Sequence, residues 1–305
     1  MPYAIHTQDL SFAFGRRTVV SGLSLHVPEG SIYGFLGPNG AGKSTSIRLL
    51  TGMLLSDKDN IFIGGRSLRR HLPDIFRGMG TLIESPSLYA HLTARENLRL
   101  IATLRGLPAA RIDEVLAIVG LRSVQHRKVA HFSLGMKQRL GIGIALLADP
   151  ALLILDEPAN GLDPSGIIEI RDLIRHLHQQ EGKTIFVSSH LLAEVEKTCT
   201  HIGIIHKGTL RYEGTLEQLQ LEARQGGEVV FTIPAAAQHL TAFPDDWGAR
   251  LHSADEVLFP YTGADRITEL NQRLVGAGVP VCGIRMQGGL EDWFMRLTQK
   301  DREIV

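Results

Sequence analysis

Gly37-Pro38-Asn39-Gly40-Ala41-Gly42-Lys43-Ser44-Thr45 is the stretch that decides the fold of this 305-residue chain. It follows the apolar run Ser31–Leu36 and precedes a helical pattern that Gly52 ends, so the order strand, glycine-rich loop, helix is predicted. Loops of the form G-x-x-x-x-G-K-[ST] in this context bind phosphate, because backbone N–H groups and a helix N-terminus point at the anion. The stretch therefore predicts an α/β fold in which Lys43 reaches phosphates and Ser44 is a candidate Mg²⁺ ligand. A glycine-rich turn with an exposed lysine is the alternative interpretation.

A second element is the run Ala151–Leu155, which Asp156, Glu157 and Pro158 follow. Short apolar runs of this kind are typical of strands buried on both faces of a parallel sheet. Such a strand carries both carboxylates to the carboxyl edge of the sheet, where open α/β folds bind their ligands. Asp156 is therefore expected to hold Mg²⁺ and Glu157 to polarise an attacking water. The alternative is a strand that ends in two solvated acids.

The pattern of the chain predicts two domains with a boundary at the glycines near 226. Residues 1–226 are expected to form an α/β core whose segment from about 84 to 148 is mainly helical, with a capping box at Thr93 and Glu96. Residues 227–305 are expected to form a small α+β domain. Its predicted strands are Val229–Ile233 and Val279–Met286, and its last helix is Leu290–Leu297.

Composition excludes several classes of protein. Lys plus Arg and Asp plus Glu both number 32, so the chain lacks the basic excess of a general nucleic-acid binder. Two distant cysteines, Cys199 and Cys282, exclude a disulfide scaffold and favour a reducing compartment. The most apolar stretch, Leu140–Leu155, is interrupted by Asp149 and Pro150, and the N-terminus has no signal-peptide pattern. A soluble intracellular protein is therefore expected, with any membrane role supplied by a partner.

Three further motifs follow in a fixed order, and they connect the chain to a family. They are the stretches that end at Arg139 (Phe-Ser-Leu-Gly-Met-Lys-Gln-Arg), Asp163 (Asn-Gly-Leu-Asp) and His190 (Ser-Ser-His). With the two elements above, the chain resembles the ATP-binding subunits of ABC transporters over roughly residues 4–220. The resemblance implies a P-loop ATPase core with a helical subdomain, and ATP and Mg²⁺ as cofactors. It also implies an integral-membrane permease and a second ATP-binding subunit, which is either another copy of this chain in a homodimer or a homologue. The location that follows is cytoplasmic, peripheral on the inner face of the membrane.

The same resemblance assigns roles to single residues. It implies that Phe14 stacks on adenine and that His190 bonds the γ-phosphate of ATP and orients water. Ser133 and Gly135 are implied to reach the γ-phosphate of the ATP held by the second subunit. Simpler interpretations stay open, because Phe14 could be core and both Ser133 and Asp163 are good helix N-caps. The predicted nucleotide-binding residues are Phe14, Gly37, Pro38, Asn39, Gly40, Ala41, Gly42, Lys43, Ser44, Thr45, Ser133, Gly135 and Asp163.

Glu84 departs from the usual family pattern and narrows the resemblance to one branch of the family. Most of the family carries glutamine at the position of Glu84. The sequence around Glu84 resembles the bacitracin-resistance and lantibiotic self-protection branch, which carries glutamate there. Glu84 is accordingly predicted as a catalytic residue and metal ligand, in the motor subunit of an exporter that confers resistance to a peptide antibiotic. Ordinary drift within a wider exporter group is the alternative for Glu84. The alternatives for the whole chain are an ATPase that acts on ribosomes or nucleic acid, and a regulatory module that does not hydrolyse ATP.

Overall fold

The computed structural model describes residues 2–84, 86–224, 227–243, 247–287 and 290–299. Contacts divide the chain into two units, Met1–Leu216 and Glu217–Val305. The predicted domain boundary after residue 226 lies ten residues beyond this division and stays a prediction. Over the described residues, no helix combines the length and the apolar character needed to cross a membrane.

The first unit alternates strands and helices. Its strands are β1 (Tyr3–Thr7), β2 (Leu10–Phe14), β3 (Arg17–Leu23), β4 (His26–Pro28), β5 (Ile32–Leu36), β6 (Ile61–Ile63), β7 (Arg66–Ser67), β8 (Met79–Leu82), β9 (Leu152–Leu155), β10 (Thr184–Ser189), β11 (His201–His206) and β12 (Thr209–Thr215). Its helices are α1 (Lys43–Leu50), α2 (Leu68–Ile75), α3 (Ala94–Leu104), α4 (Ala110–Ile118), α5 (Leu134–Leu146), α6 (Pro164–Gln179) and α7 (Leu192–Thr198).

A six-stranded sheet in the order β12-β11-β5-β10-β9-β8 forms the centre of this unit. The strands from β11 to β8 run parallel, and β12 is antiparallel to β11. Every residue of β5 and β9 is buried, and for β9 this confirms the burial on both faces that its apolar run predicts. Because β5, β9 and β10 are parallel neighbours, the loops that follow them meet at one edge of the sheet.

A smaller antiparallel sheet, β4-β1-β6-β7, and the hairpin β2-β3 pack with the central sheet around one apolar cluster, which contains Ile5, Leu23, Phe35, Ile47 and Ile154. Strand β5 is fixed at its start by Tyr33, whose buried hydroxyl donates to Glu213 Oε1 at 2.7 Å. Burial and the adjacent Glu213 carboxylate raise the pKa of Tyr33. This contact ties β5 to β12, so the glycine-rich loop starts from a fixed strand.

The helix starts that local sequence specifies lie at the predicted positions. Thr93 and Glu96 form a complete capping box before α3, so that prediction is confirmed. Ser133 caps α5, and Asp163 caps α6 with Pro164 as its first residue. Helix α2 and strands β6 to β8, by contrast, have no counterpart among the predicted elements.

The elements that follow are α8 (Leu216–Arg224), β13 (Glu228–Thr232), β14 (Arg250–Ser253), β15 (Glu256–Pro260), α9 (Ala264–Gly276), β16 (Gly283–Gln287) and α10 (Leu290–Gln299). The four strands form an antiparallel sheet in the order β14-β15-β13-β16. Leu270 and Leu274 of α9 pack against Phe231 and Phe259 in a separate core. The strand predicted from Val279 begins only at Gly283, and the hairpin β14-β15 is absent from the predicted elements.

Candidate nucleotide site

The carboxyl edge of the central sheet opens onto a cleft of about 560 Å³. Predicted site residues from three separate stretches of the chain meet there, on the loops after β5, β9 and β10. The residues that line the cleft are Phe14, Arg17, Val19, Asn39, Gly40, Gly42, Lys43, Ser44, Thr45, Glu157, Asn160 and His190.

The glycine-rich loop needs glycine at specific points. Gly42 has φ 108°, a conformation that L side chains rarely adopt, and it is the residue before the first turn of α1. A Cβ on Gly37 would clash with the carbonyl oxygen of Ile205, so the loop also requires close backbone approach. Among the described residues, no side chain caps α1, and its first turn has no acidic residue. The N-terminal N–H groups of α1 therefore remain suited to an anionic ligand.

Lys43 is a buried cation at the floor of the cleft. Its ammonium donates to the carbonyl oxygens of Gly37 at 2.7 Å and Pro38 at 3.3 Å, and it lies 3.2 Å from Glu157 Oε1. These contacts hold the ammonium against the backbone of the loop and next to the Glu157 carboxylate. An incoming phosphate would compete with Glu157 for this ammonium.

Glu157 connects the loops after β9 and β10. Its Oε2 lies 2.7 Å from His190 Nδ1, and because a carboxylate only accepts, Nδ1 carries the proton of that bond. In the tautomer that carries its proton on Nδ1, Nε2 is the acceptor. Glu157 has φ 48°, and non-glycine residues in this region are concentrated at functional sites. The pair thus joins a carboxylate and an imidazole in the geometry that proton transfer requires.

Asp156 is buried and joins the strand ends below the cleft. Its Oδ1 accepts from Ser188 Oγ at 2.5 Å, and the same hydroxyl accepts from the backbone N–H of Glu157 at 2.8 Å. Ser188 belongs to the motif that ends at His190 but is not among the predicted site residues. Its position at the carboxyl end of β10 is the signal that would have identified it.

The oxygen donors at this edge fit a hard divalent cation. A carboxylate from Asp156 and a hydroxyl from Ser44 are ligands that Mg²⁺ prefers, usually together with substrate phosphates and water. Within the described ranges, no group of three or more His, Cys, Asp or Glu residues could hold a metal by itself. This donor set therefore suits a cation that arrives with a phosphate ligand.

Phe14 lies at the rim of the cleft. Half of its surface is exposed, which makes the core interpretation wrong, and it contacts Phe12 edge-on with ring centroids 5.0 Å apart. Arg17, which pairs with Phe14 across the β2-β3 turn, lines the same cleft and is not among the predicted site residues. The turn thus presents an aromatic face and a cation together.

Ser133, Gly135 and Asp163 are not among the described residues that line the cleft. Ser133 Oγ accepts from the N–H of Met136 at 3.3 Å, and Asp163 Oδ1 accepts from the N–H of Gly166 at 3.0 Å. The two helix starts are neighbours, since a Cβ on Gly135 would lie 3.8 Å from the Leu162 side chain. They form a second surface, apart from the cleft of the same chain.

Glu84 is likewise absent from the described lining of the cleft. It lies two residues beyond the end of β8, has φ 60°, and its side chain is 61% exposed. Its carboxylate forms an ion pair with the guanidinium of Arg48 on α1. The predicted catalytic and metal-binding role of Glu84 requires that it lie with Asp156 and Ser44. The structure does not bring these residues together.

Comparison with known proteins adds four findings. The sequence profile of the ABC transporter family matches residues 20–160. The bacitracin transport ATP-binding protein BcrA of Bacillus licheniformis is 42% identical over 97% of this chain and 98% of its own length. The lantibiotic transport ATP-binding protein SrtF of Streptococcus pyogenes is 44% identical over 70% of this chain and 93% of its own. A solved structure of an ABC transporter ATP-binding subunit, 33% identical, matches 72% of this chain and 92% of that one with a TM-score of 0.63.

Proposed function

This chain belongs to the ATP-binding subunits of ABC transporters, and we propose that it drives export of a peptide antibiotic or a similar amphiphile. Membership makes it an ATPase whose hydrolysis is coupled to transport. The proposed class of cargo rests on similarity along the whole chain. The match covers 98% of a bacitracin transport relative and not only its ATPase core.

In this proposal Lys43 and the N–H groups at the start of α1 bind the β- and γ-phosphates of ATP. Phosphate oxygens replace the Glu157 carboxylate, which now lies 3.2 Å from Lys43. Phe14 offers an exposed ring on which adenine can stack. Binding of ATP thus releases Glu157 from one partner and leaves it paired with His190.

Glu157 then acts as the general base toward the attacking water. His190, held through Nδ1 at 2.7 Å, orients Glu157 and leaves Nε2 free to accept from water. Ser44 and Asp156 would hold Mg²⁺, which neutralises phosphate charge when bound. Ser188 fixes both acids, because its hydroxyl bonds to Asp156 and to the backbone of Glu157.

Ser133, Gly135 and Asp163 are assigned to the cleft of a second copy of this chain. Their separation from the cleft of their own chain supports this assignment, together with the exposure of Ser133. Two copies would close on two ATP molecules, and hydrolysis would reopen them. A homodimer is the simplest assembly that places one such surface over each cleft.

A separate integral-membrane permease is the second partner that we propose. The exposed Tyr89, on the segment between β8 and α3 that also carries Glu84, is the site at which it would dock. Docking there would hold the chain at the inner face of the membrane and transmit opening and closing to the permease.

The test is genetic and biochemical. Deletion of the gene in its source organism should increase sensitivity to bacitracin or to a lantibiotic, and wild-type chain should restore survival. Glu157→Gln should bind ATP but not restore survival, while Lys58→Gln, an exposed variant outside the cleft, should behave as wild type. Unchanged survival after deletion, across bacitracin and lantibiotics, would refute the cargo class.

We also propose that residues 1–226 form a self-sufficient ATPase domain. All described residues that line the cleft precede residue 191, and residues 227–305 hold an apolar core of their own. A chain truncated after residue 226 should fold and bind ATP with the affinity of the full chain. A soluble truncated chain that binds no ATP would show that the division is wrong.

A further inference from the structure

Arg48 and Glu84 form an ion pair between the phosphate-loop helix α1 and the loop after β8. Arg48 lies in the last turn of α1, and its side chain is about one third exposed. Glu84 is held with a positive φ, and Arg48 is its ion-pair partner among the described residues. The contact therefore joins the helix that begins at the nucleotide site to a loop that the family resemblance links to metal binding.

The pair holds the Glu84 carboxylate at Arg48, and neither residue is among the described residues that line the cleft. Arg48 follows Lys43 by five residues, which in an α-helix is about 7.5 Å along the axis and about 140° around it. The backbone near Glu84 is nevertheless tied to the metal-binding edge, because the Leu82 carbonyl accepts from the N–H of Asp156 at 2.8 Å. The Glu84 carboxylate is thus held by Arg48, on a loop that follows a strand bonded to the backbone of Asp156.

The charge of Glu84 decides the strength of this contact. A guanidinium binds a carboxylate through charge-assisted hydrogen bonds, whereas a glutamine side chain would offer one neutral carbonyl oxygen. A glutamate in this loop therefore acquires a resting partner that a glutamine would bind only weakly.

We propose that Arg48 is a positioning residue that holds Glu84 outside the cleft in the nucleotide-free chain and competes with magnesium-nucleotide for its carboxylate. The inference rests on the proposed function and on the role of Glu84 as a metal ligand that the sequence predicts. Release of Glu84 from Arg48 is then a step of nucleotide binding, and the ion pair sets the magnesium concentration at which that step occurs.

The experiment measures equilibrium binding and does not depend on turnover. The full chain carrying Glu157→Gln is titrated with trinitrophenyl-ATP at a series of Mg²⁺ concentrations. Adding Arg48→Gln should lower the Mg²⁺ concentration for half-maximal binding by about two- to fivefold, the range that an exposed ion pair supports. Arg48→Lys, which keeps a cation, should give a smaller shift.

The decisive comparison repeats Arg48→Gln in a chain that also carries Glu84→Gln. Here the substitution should leave the Mg²⁺ dependence unchanged, because the competing ion pair no longer exists. An equal shift in both backgrounds, or no shift in either, would overturn the proposal. Arg66→Gln, which removes an exposed ion pair with Asp74, is the matched control and should shift neither.

Two further controls keep the outcomes distinct. Arg48→Met retains the apolar stem of the side chain and replaces Arg48→Gln if that variant does not fold. If the parent chain shows no Mg²⁺-dependent binding at all, the proposed function fails. If binding depends on Mg²⁺ but ignores Arg48, only the positioning role fails.

Discussion

Two neighbouring loops at the carboxyl edge of the sheet each carry a glutamate with a positive φ, and they are built in opposite ways. Glu157 follows β9, is 20% exposed in its side chain, and contacts Lys43 and His190. Glu84 follows β8, is 61% exposed, and has an ion pair with Arg48. One loop is fixed by several hydrogen bonds, and the other is attached by a contact that solvent weakens.

The difference indicates which glutamate can move. The backbone of Glu157 donates to Ser188, and Ser188 in turn donates to buried Asp156, so the base is fixed on both sides. Segments with few buried contacts open at low free-energy cost, whereas those tied to a core strand do not. We therefore expect the loop after β9 to carry the catalytic groups of the site. We expect the loop after β8 to be the part that moves when nucleotide binds.

The largest effect is expected where the Glu157 network meets the phosphate loop. Lys43→Ala removes the buried cation of the cleft and should abolish ATP binding, because the loop holds this charge against the β- and γ-phosphates. Fluorescent ATP titration measures this, with Lys58→Ala as the control. Undiminished affinity would mean that Lys43 is only a buried structural lysine.

Glu157→Gln should reduce turnover by about 10²–10⁴-fold, the usual contribution of a positioned general base. ATP binding should persist, because the amide keeps the shape of the side chain and no longer attracts Lys43. With ATP and Mg²⁺ the variant should accumulate as a closed dimer, which size-exclusion chromatography with and without ATP detects. Turnover near that of wild type would move the base to another residue.

Ser188→Ala tests the rigidity of the loop after β9. The substitution leaves the buried Asp156 carboxylate and the Glu157 N–H without their shared partner, which should lower the free energy of unfolding by about 1–3 kcal/mol. Chemical denaturation measures the loss. The matched variant Ser189→Ala removes only local bonds with Leu191 and should cost clearly less. Equal costs would show that Ser188 does not hold the two acids.

Glu84→Ala should have the smallest effect on the folded chain. Removing an exposed ion pair should change the free energy of unfolding by only about 0–1 kcal/mol. Glu84→Gln keeps an oxygen and should retain most ATPase activity, whereas Glu84→Ala should weaken coupling to the permease. Basal ATPase and survival under a peptide antibiotic compare the two. If Glu84→Ala equals wild type in both assays, the residue is a solvated loop acid.

The sequence by itself determined the elements whose cause is local. The apolar runs of β5 and β9, the glycine-rich loop and the capped starts of α3, α5 and α6 depend on residues within a few positions of one another. Burial of a strand on both faces and hydrogen bonding of an N-cap leave a direct trace in residue type. For the same reason, residue type and order alone are enough to locate Asp156 and Glu157 at the sheet edge.

Only the tertiary structure decided the features that depend on distant partners. Strand β8 has four residues, one of them a glycine, and no periodicity in Met79–Leu82 predicts it. It forms because β9 offers an open edge of the sheet. The role of Ser188 and the outward pairing of Glu84 have the same origin. Each depends on which side chain from another part of the chain arrives within hydrogen-bond distance, and that is set by strand order and packing.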